Sequence, residues 1–526
     1  MSPPCGRRVC PHTTGQTWYT EGVGSTQGGW SPLDADAALF PADEFAWMDA
    51  TEQAALVRRR EVRAVQLVEA AIRRIERANP VLNAVVTSLF DQALAQAEEI
   101  DHLLQRGPAP PFLGVPFLIK DLDDVAGAPT SKGSRYFFVR TAEADSDIAA
   151  RFRRAGFILL GKTNTPELGL LPTTEPALFG PTRNPWALSR TPGGSSGGAA
   201  AAVAAGLVPA AHASDGGGSI RIPASCCGLF GLKPSRGRTP GDTVLGLTVH
   251  HALTRSVRDS ARILDSIAGP PAWTPYPVAP PNRPFAAARL ERRLRIGFST
   301  HAPTGAPLHP EVMRAVQEAA ALLERLGHTV EEAAPHFDGE EATERFMTLW
   351  AASCAAQVAE RAAVRGRPPQ GDELEPLTWA LLEAGRRISA EQLLHAQGYL
   401  HRVARQIARF FETYDLWLTP TLAEPPLPLG SFDPASAASG GDPQRVFQRT
   451  NAWVPFTPIV NVTGQPAMSV PLAWSSDGLP IGMHFVGRFG DEATLFGLAY
   501  ELEAERPWHK RTPPSCEKGA PPPAGN

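Results

Sequence analysis

Two glycine-rich runs, GGSSGG at residues 193–198 and DGGGSIRIPAS at residues 215–225, decide the fold and the chemistry expected of this chain. Each run places a serine behind glycines, Ser195 in the first and Ser219 in the second. A second molecule can approach such a hydroxyl closely, because glycine has no side chain to obstruct it. The bare backbone N–H groups beside Ser219 are suited to hold a developing negative charge. The two runs therefore predict a reactive serine with a second hydroxyl to assist it.

A lysine lies well upstream of both runs. Lys120 ends the apolar stretch GVPFLI at residues 114–119 and precedes Asp121. A charged amine at the end of a buried strand is costly, so burial should depress the pKa of Lys120 and leave it usable as a base. Without the serines, an ordinary strand-end lysine that reaches solvent would be an equal alternative. With them, base, relay hydroxyl, nucleophile and oxyanion hole can all be assigned, which indicates acyl transfer.

These segments resemble the amidase signature family of serine hydrolases, which use a Ser-cisSer-Lys triad. The resemblance is carried by PFLIKD at residues 116–121, GKTNTPE at 161–167 and a nearly gapless block at 193–234. NVTGQPA at 461–467 and GLPIG at 478–482 also look like the family. A block of that length with both serines in register is far more specific than a short motif.

The resemblance implies a role for each matching residue. Ser219 takes the place of the nucleophile, Ser195 that of the bridging serine after a cis peptide bond, and Lys120 that of the general base. The family's oxyanion hole maps onto four backbone N–H groups, those of Gly216, Gly217, Gly218 and Ser219. At Gly216 relatives often carry threonine, isoleucine or alanine, so this loop has one more glycine than usual.

Further residues are expected to support the site or to shape its pocket. Asp215 and Arg221 flank the second serine, and Arg221 is expected to pair with Asp215 and fix the loop, with Ser196 as a further supporting residue. The acyl pocket is expected between the signature blocks, at Gly169, Leu170, Leu171 and Cys354. Such apolar residues favour an uncharged aliphatic or aryl amide. Packing in a helix core is the alternative for Cys354.

Alternating apolar runs and helical patterns predict an α/β fold with a central mixed sheet covered by helices. The patterns predict a helix over residues 49–79, another over 91–104, and strands at 112–119 and 157–160. The resemblance implies one large domain over residues 45–510, with a helical insertion at about 305–414. Residues 1–44 and 511–526 are predicted to be disordered tails.

Composition sets limits on partners and compartment. The 526 residues include 50 basic and 54 acidic side chains, a net charge of −4 that gives no reason to expect nucleic acid or an anionic membrane as partner. Six scattered cysteines do not form a disulfide framework, and no secretory signal is visible, so a cytoplasmic location is expected. None of the 13 histidines has metal-ligand spacing, so neither metal nor cofactor is expected. The expected partners are a small-molecule amide and a second copy in a homodimer.

Several patterns allow competing interpretations. GFILLGKT at residues 156–163 matches the P-loop letter for letter, although its apolar centre favours a buried strand. GGSSG at residues 193–197 also matches the nucleophile elbow of α/β-hydrolases, in which His484 or His509 would be the catalytic histidine. Taken alone, the same run is also typical of a flexible linker. Cys226 and Cys227 are either nucleophiles of a nitrilase-like site or small buried thiols.

The expected activity is hydrolysis of carbon–nitrogen amide bonds through a serine acyl-enzyme. TTEP at residues 173–176 and TRNPW at 182–186 resemble the 6-aminohexanoate cyclic-dimer hydrolase branch, which suggests small uncharged linear or cyclic amides as substrates. The alternatives are a urethanase or aryl-acylamide hydrolase, and a glutamine-dependent tRNA amidotransferase A-type subunit. A non-catalytic binding protein does not account for the complete triad.

Overall fold

The computed structural model describes residues 43–103, 109–138, 141–241, 245–269, 278–436 and 441–514. Most of the two predicted tails, and Leu104 at the end of the second predicted helix, lie outside these ranges. At the start of the described residues, the carboxylate of Asp43 forms an ion pair with the buried Arg74 at 2.5 Å.

A mixed β-sheet runs through the described residues. Its strands are β1 (Val85–Ser88), β2 (Pro116–Lys120), β3 (Ile158–Thr163), β4 (Ala210–Asp215), β5 (Phe230–Lys233), β6 (Val249–Thr254), β7 (Arg295–Phe298), β8 (Thr329–Glu332), β9 (Leu416–Pro420), β10 (Ala467–Trp474) and β11 (Pro480–Val486). They lie in the order β1-β3-β2-β4-β6-β5-β10-β11-β9-β7-β8. β2 is parallel to both β3 and β4, whereas β4, β6, β5 and β10 alternate in direction. The predicted α/β fold with a mixed sheet is confirmed.

Helices cover the sheet. They are α1 (Ala50–Arg58), α2 (Ala64–Leu82), α3 (Phe90–Leu103), α4 (Asp147–Arg154), α5 (Gly197–Ala204), α6 (Arg221–Cys227), α7 (Val257–Ile267), α8 (Pro310–Arg325), α9 (Gly339–Arg365), α10 (Pro376–Arg386), α11 (Ala390–Thr413), α12 (Pro443–Trp453), α13 (Thr457–Thr463) and α14 (Glu492–Glu505). None of the helices in the described ranges combines the length and the apolar character that crossing a bilayer requires. The predicted helical stretch contains α8 to α11 and also the short strand β8, which the sequence patterns missed.

The first predicted helix is wrong in its extent. The chain leaves the helix after Arg58, Arg60 takes a positive φ of 59°, and α2 starts at Ala64. The Asp101 carboxylate accepts the Ala64 N–H at 2.7 Å, which fixes this new start through a contact distant in sequence. α2 then continues through Pro80 to Leu82.

The parallel strands β2 and β4 bring the two key segments to one edge of the sheet. β2 ends at Lys120, and β4 ends at Asp215, immediately before the second glycine run. Carboxyl ends of neighbouring parallel strands meet at the same edge, where α/β proteins place their sites. The first glycine run leads into α5, whose small buried residues let it pack against β2, β4 and α6.

Candidate active site

Lys120 is fully buried at the end of β2. Its Nζ lies 2.6 Å from Ser195 Oγ and 3.2 Å from Ser214 Oγ. Burial lowers the pKa of Lys120 to about 7, although the charges of Asp123 and Asp215 act in the opposite direction. The structure therefore contradicts the alternative of a solvent-reaching lysine, and it places an amine that is partly neutral at neutral pH against the first serine.

Ser195 is held in a tightly packed turn. The peptide bond between Gly194 and Ser195 is cis, as the resemblance implied. A Cβ atom at Gly194 would overlap the backbone of Thr173, so only glycine fits there. Thr174 Oγ1 donates to the Gly193 carbonyl at 2.9 Å and accepts from the N–H of Gly197 at 3.1 Å, which holds the turn on both sides of the serines. No sequence pattern indicates a role for Thr174 at the site.

The second glycine run forms a loop between β4 and α6 and presents Ser219 at its end. Ser219 is 8% exposed, compared with 2% for Ser195, so it is the more accessible of the two hydroxyls. The N–H of Gly218 donates to Asp215 Oδ1 at 2.7 Å, and this bond removes Gly218 from the predicted oxyanion hole. The N–H groups of Gly216, Gly217 and Ser219 donate to no group in the described part of the chain.

A buried ion pair supports this loop, as predicted for Asp215 and Arg221. Arg221 Nε lies 2.9 Å from Asp215 Oδ2, and both side chains are fully buried. Burial alone would raise the pKa of Asp215, but the charge and hydrogen bond of Arg221, together with the charge of Lys233 and the hydrogen bond from Asn461, hold that pKa well below its usual range. Asn461 accepts from Arg221 Nη2 at 2.6 Å and donates to Asp215 Oδ1 at 2.9 Å. Only the surrounding NVTGQPA motif had pointed to Asn461.

Ser196 is also buried, and its hydroxyl donates to the Ser214 carbonyl at 3.2 Å. Ser214 is the residue whose own hydroxyl lies against the Lys120 amine. Ser196 therefore ties the first glycine run to β4, next to the base. This placement agrees with a supporting role, and it adds Ser214, to which no sequence pattern pointed.

The aromatic face of α9 borders the loop. A Cβ atom at Gly217 would lie 3.4 Å from Phe346 Cζ, and one at Gly216 would lie 3.4 Å from the Trp350 ring. The two rings stack on each other with centroids 5.4 Å apart. Cys354, one turn further along α9, packs in a core cluster with Tyr136 and its neighbours instead. Burial raises the pKa of the Cys354 thiol to about 12, which suits a core residue.

The three predicted pocket residues after β3 have separate locations. Gly169 lies at the site, because a Cβ atom there would be 3.3 Å from Ser195 Oγ. Leu170 packs against the core cluster that contains Cys354. Leu171 packs against a different cluster, built around α2 and α5. Gly169 therefore adjoins Ser195 directly, and the pocket role of Leu170 and Leu171 stays a prediction.

The competing patterns have structural explanations. Residues of the P-loop pattern form the buried strand β3, and Lys162 Nζ lies 2.6 Å from Asp121 Oδ1 in a fully buried ion pair. His484 contacts Arg221 Nη1 at 3.0 Å and not a serine, and His509 lies 3.8 Å from Glu503. Both Cys226 and Cys227 are buried in α6, where burial raises the pKa of each thiol.

Asp123, His212 and His250 form the one cluster of possible metal ligands within the described residues. The Nδ1 atom of His212 accepts the backbone N–H of Lys120 at 3.2 Å, so a neutral imidazole carries its proton on Nε2. The Nε2 atom lies 3.0 Å from His250 Nδ1, at hydrogen-bond distance. With that tautomer His212 offers no lone pair for a metal ion, and the cluster is a hydrogen-bonded histidine pair beside a carboxylate.

Comparison with known proteins adds the family. The family model described as Amidase matches residues 66–496. The 6-aminohexanoate-cyclic-dimer hydrolase of Paenarthrobacter ureafaciens is 38% identical over 484 residues, which cover 89% of this chain and 96% of that protein. The putative amidase AmiC of Mycobacterium leprae (strain TN) is 40% identical over 483 residues, which cover 89% of this chain and 97% of AmiC.

The similarity extends to three dimensions. A solved structure of 6-aminohexanoate cyclic dimer hydrolase, complexed with substrate, matches this chain with a TM-score of 0.83 and 36% sequence identity. The match covers 90% of this chain and all of that chain.

Proposed function

The chain belongs to the amidase family and is an amide-bond hydrolase, and from this premise we propose that Ser219, Ser195 and Lys120 carry out its reaction. The observation that supports this most strongly is the 2.6 Å contact between Lys120 Nζ and Ser195 Oγ. It joins a buried amine, with its pKa lowered to about 7, to a hydroxyl within the first glycine run. A neutral amine in this position is able to take a proton from the serine.

The proposed cycle starts from neutral Lys120. Ser219 attacks the amide carbonyl and gives its proton to Ser195, which passes its own proton to Lys120. The negative charge that forms on the carbonyl oxygen is held by the unoccupied N–H groups of Gly216, Gly217 and Ser219. Return of the proton through Ser195 lets the amine leave, and water then hydrolyses the ester on Ser219 with the same relay.

For the substrate we propose small uncharged amides, linear or cyclic, with 6-aminohexanoate oligomers among them. The aromatic rings of Phe346 and Trp350 lie against the glycine loop and provide an apolar wall for an aliphatic chain. Arg221, a cation next to the nucleophile loop, is already paired with Asp215. The named substrate of the similar cyclic-dimer hydrolase supports the same class.

A substrate panel tests the assignment. We expect kcat/KM to be higher for a medium-chain anilide or a cyclic amide than for glutamine, with an aliphatic carbamate as a further comparison. The Ser219→Ala variant should lose activity on every member of the panel, because no other group forms the acyl-enzyme. Ser266→Ala, on the remote helix α7, is the matched serine control and should behave as wild type. A preference for glutamine would instead favour an amidotransferase subunit, and a preference for the carbamate a urethanase.

The finer expectations on assembly and location belong to the same proposal. We propose that the enzyme acts as a homodimer in the cytoplasm, without a metal ion. The thiols of Cys226, Cys227 and Cys354 are free and buried, which suits a reducing compartment. Light scattering during size-exclusion chromatography tests the dimer, and cell fractionation tests the location. Loss of activity with EDTA would contradict the metal-free mechanism.

A further inference from the structure

The ladder between β2 and β4 ends before the base. β2 pairs with β3 as far as Lys120 and Thr163, but its pairing with β4 consists of one position, Leu118 opposite Ala211. Beyond that point, no backbone group of the described part of β4 pairs with the N–H of Lys120. The imidazole of His212, from β4, takes that place and accepts the N–H through Nδ1 at 3.2 Å.

A second histidine fixes the ring of His212. Its Nε2 lies 3.0 Å from His250 Nδ1, and the two ring planes differ by only 15°. Because Nδ1 of His212 is an acceptor, Nε2 is the donor, and this bond sets both the tautomer and the ring orientation. Phe152 of α4 packs edge-on against His212 with ring centroids 5.5 Å apart. The ring therefore has contacts on several sides and little freedom to turn.

Strand β4 also contacts the amine of Lys120. Ser214, two residues after His212 on β4, has its hydroxyl 3.2 Å from Lys120 Nζ. Ser214 is the register partner of His250 in the ladder between β4 and β6. Strand β4 thus holds the backbone of Lys120 through one side chain and its amine through another, and His250 lies beside both.

Charged groups surround the pair. Asp123 Oδ2 lies 4.0 Å from His212 Nε2 and 3.9 Å from His250 Nδ1, and this oxygen is buried without a hydrogen-bond partner among the described residues. The charges that act on the two histidines come from Asp123, Lys120, Asp147 and the neighbouring His251. Burial lowers the pKa of His212 to about 3 and also lowers that of His250, so His212 is neutral when Lys120 titrates.

We propose that His212 and His250 are positioning residues for the base: His212 fills the gap between β2 and β4 and holds Lys120 in line with Ser195, and His250 holds His212 in the accepting orientation. The inference rests on the proposed role of Lys120 as base. Neither histidine takes part in proton transfer, since the contact with Lys120 is to its backbone N–H and not to its amine. A displacement of reacting groups by about 1 Å costs roughly 100-fold in rate.

Variants of His212 and His250 separate positioning from mere packing. In His212→Phe the ring is kept but the acceptor is lost, and we expect kcat to fall roughly 100-fold with KM little changed. In His212→Asn the side-chain oxygen can accept the Lys120 N–H, so kcat should recover at least about tenfold relative to His212→Phe. His250→Phe keeps the acceptor of His212 but removes the hydrogen bond that holds the His212 ring, and the kcat of this variant should fall about tenfold.

The neighbouring histidine on β6 is the matched control. His251 is also fully buried and hydrogen-bonded, to Ser260 at 2.9 Å, but it does not contact Lys120. His251→Phe should therefore destabilise the fold, measured by its urea midpoint, while the kcat of the folded enzyme stays within about twofold of wild type. If His212→Phe does not fold, His250→Phe and His251→Phe still test the positioning role. The kcat should fall in His250→Phe and stay near the wild-type value in His251→Phe.

Two results would overturn the inference. One is a kcat of His212→Asn no higher than that of His212→Phe, and the other is a kcat of His250→Phe equal to that of His251→Phe. If Lys120 is not the base, Lys120→Met keeps its activity, so failure of the proposed function is distinguished from failure of the positioning role. A dead Lys120→Met together with fully active His212 and His250 variants would contradict only the positioning role.

Discussion

Replacing Lys120 by methionine should make the enzyme inactive and more stable. Methionine has a similar length and is never charged, so it removes the penalty of burying an amine. The fall of the Lys120 pKa from 10.5 to about 7 corresponds to about 5 kcal/mol of free energy of unfolding when the amine is charged in both states. Loss of the hydrogen bonds to Ser195 and Ser214 reduces this gain in the free energy of unfolding by about 1 kcal/mol each. The expected net gain at pH 6 is therefore about 3 kcal/mol.

This gain should depend on pH in a defined direction. The pKa of Lys120 is lower in the folded state, so between pH 7 and 10.5 the unfolded chain binds more protons and wild-type stability rises with pH. The methionine variant lacks this contribution. Its advantage should shrink by roughly 2 to 3 kcal/mol between pH 6 and pH 9 and nearly vanish at the upper end. Burial also lowers the pKa of Lys233 to about 7. Lys233 is present in both proteins, so its contribution to the free energy of unfolding cancels in the difference between them.

Urea unfolding followed by tryptophan fluorescence at pH 6, 7, 8 and 9 measures the difference. Lys162→Met is the contrasting control, because Lys162 is paired with Asp121 at 2.6 Å and its removal leaves a buried carboxylate without its partner. That variant should be destabilised by roughly 3–5 kcal/mol. A Lys120→Met variant that is less stable than wild type, or whose advantage is constant from pH 6 to pH 9, would refute a depressed pKa at Lys120.

The pH profile and two further variants test the charges and the apolar wall of the site. The kcat/KM of wild type should rise with pH through about 7 and then level off. In Asp123→Asn this rise should move to lower pH, because the charge of Asp123 raises the pKa of Lys120. A pH profile of Asp123→Asn identical to that of wild type would contradict this. Arg221→Met leaves Asp215 buried without its cation and should lose roughly 3–5 kcal/mol of unfolding free energy together with activity. Phe346→Ala should raise KM for an aliphatic amide about tenfold with less effect on acetamide, and equal effects on the two would argue against an apolar wall there.

The glycine runs predicted the loops of the site because the requirement for glycine is local. Gly194 lies against the backbone of Thr173, and such a close approach is visible in the residue type alone. The same runs gave no indication that the N–H of Gly218, a residue with a φ of 134°, is taken up by a hydrogen bond to Asp215. Backbone direction within a glycine loop depends on dihedral angles that glycine leaves open, so the donor set required the structure.

Residues brought in by strand register were invisible to sequence patterns. Both faces of β4 and most of β6 are buried, so the alternation that reveals a half-exposed strand is absent, and β6 was not predicted at all. His212 and His250 therefore could not be connected in advance. Similarly, Cys354 was predicted to line the acyl pocket, but Phe346 and Trp350, earlier on the same helix, lie against the glycine loop, and Cys354 is buried in a core cluster.

Mapping the covalent adduct of a fluorophosphonate on the intact enzyme tests the central claim most directly. We expect a single adduct on Ser219, formed faster as pH rises through about 7, and almost none in Lys120→Met. An adduct found on Ser195 in place of Ser219, or labelling that is unchanged in Lys120→Met, would contradict the proposed roles of these three residues.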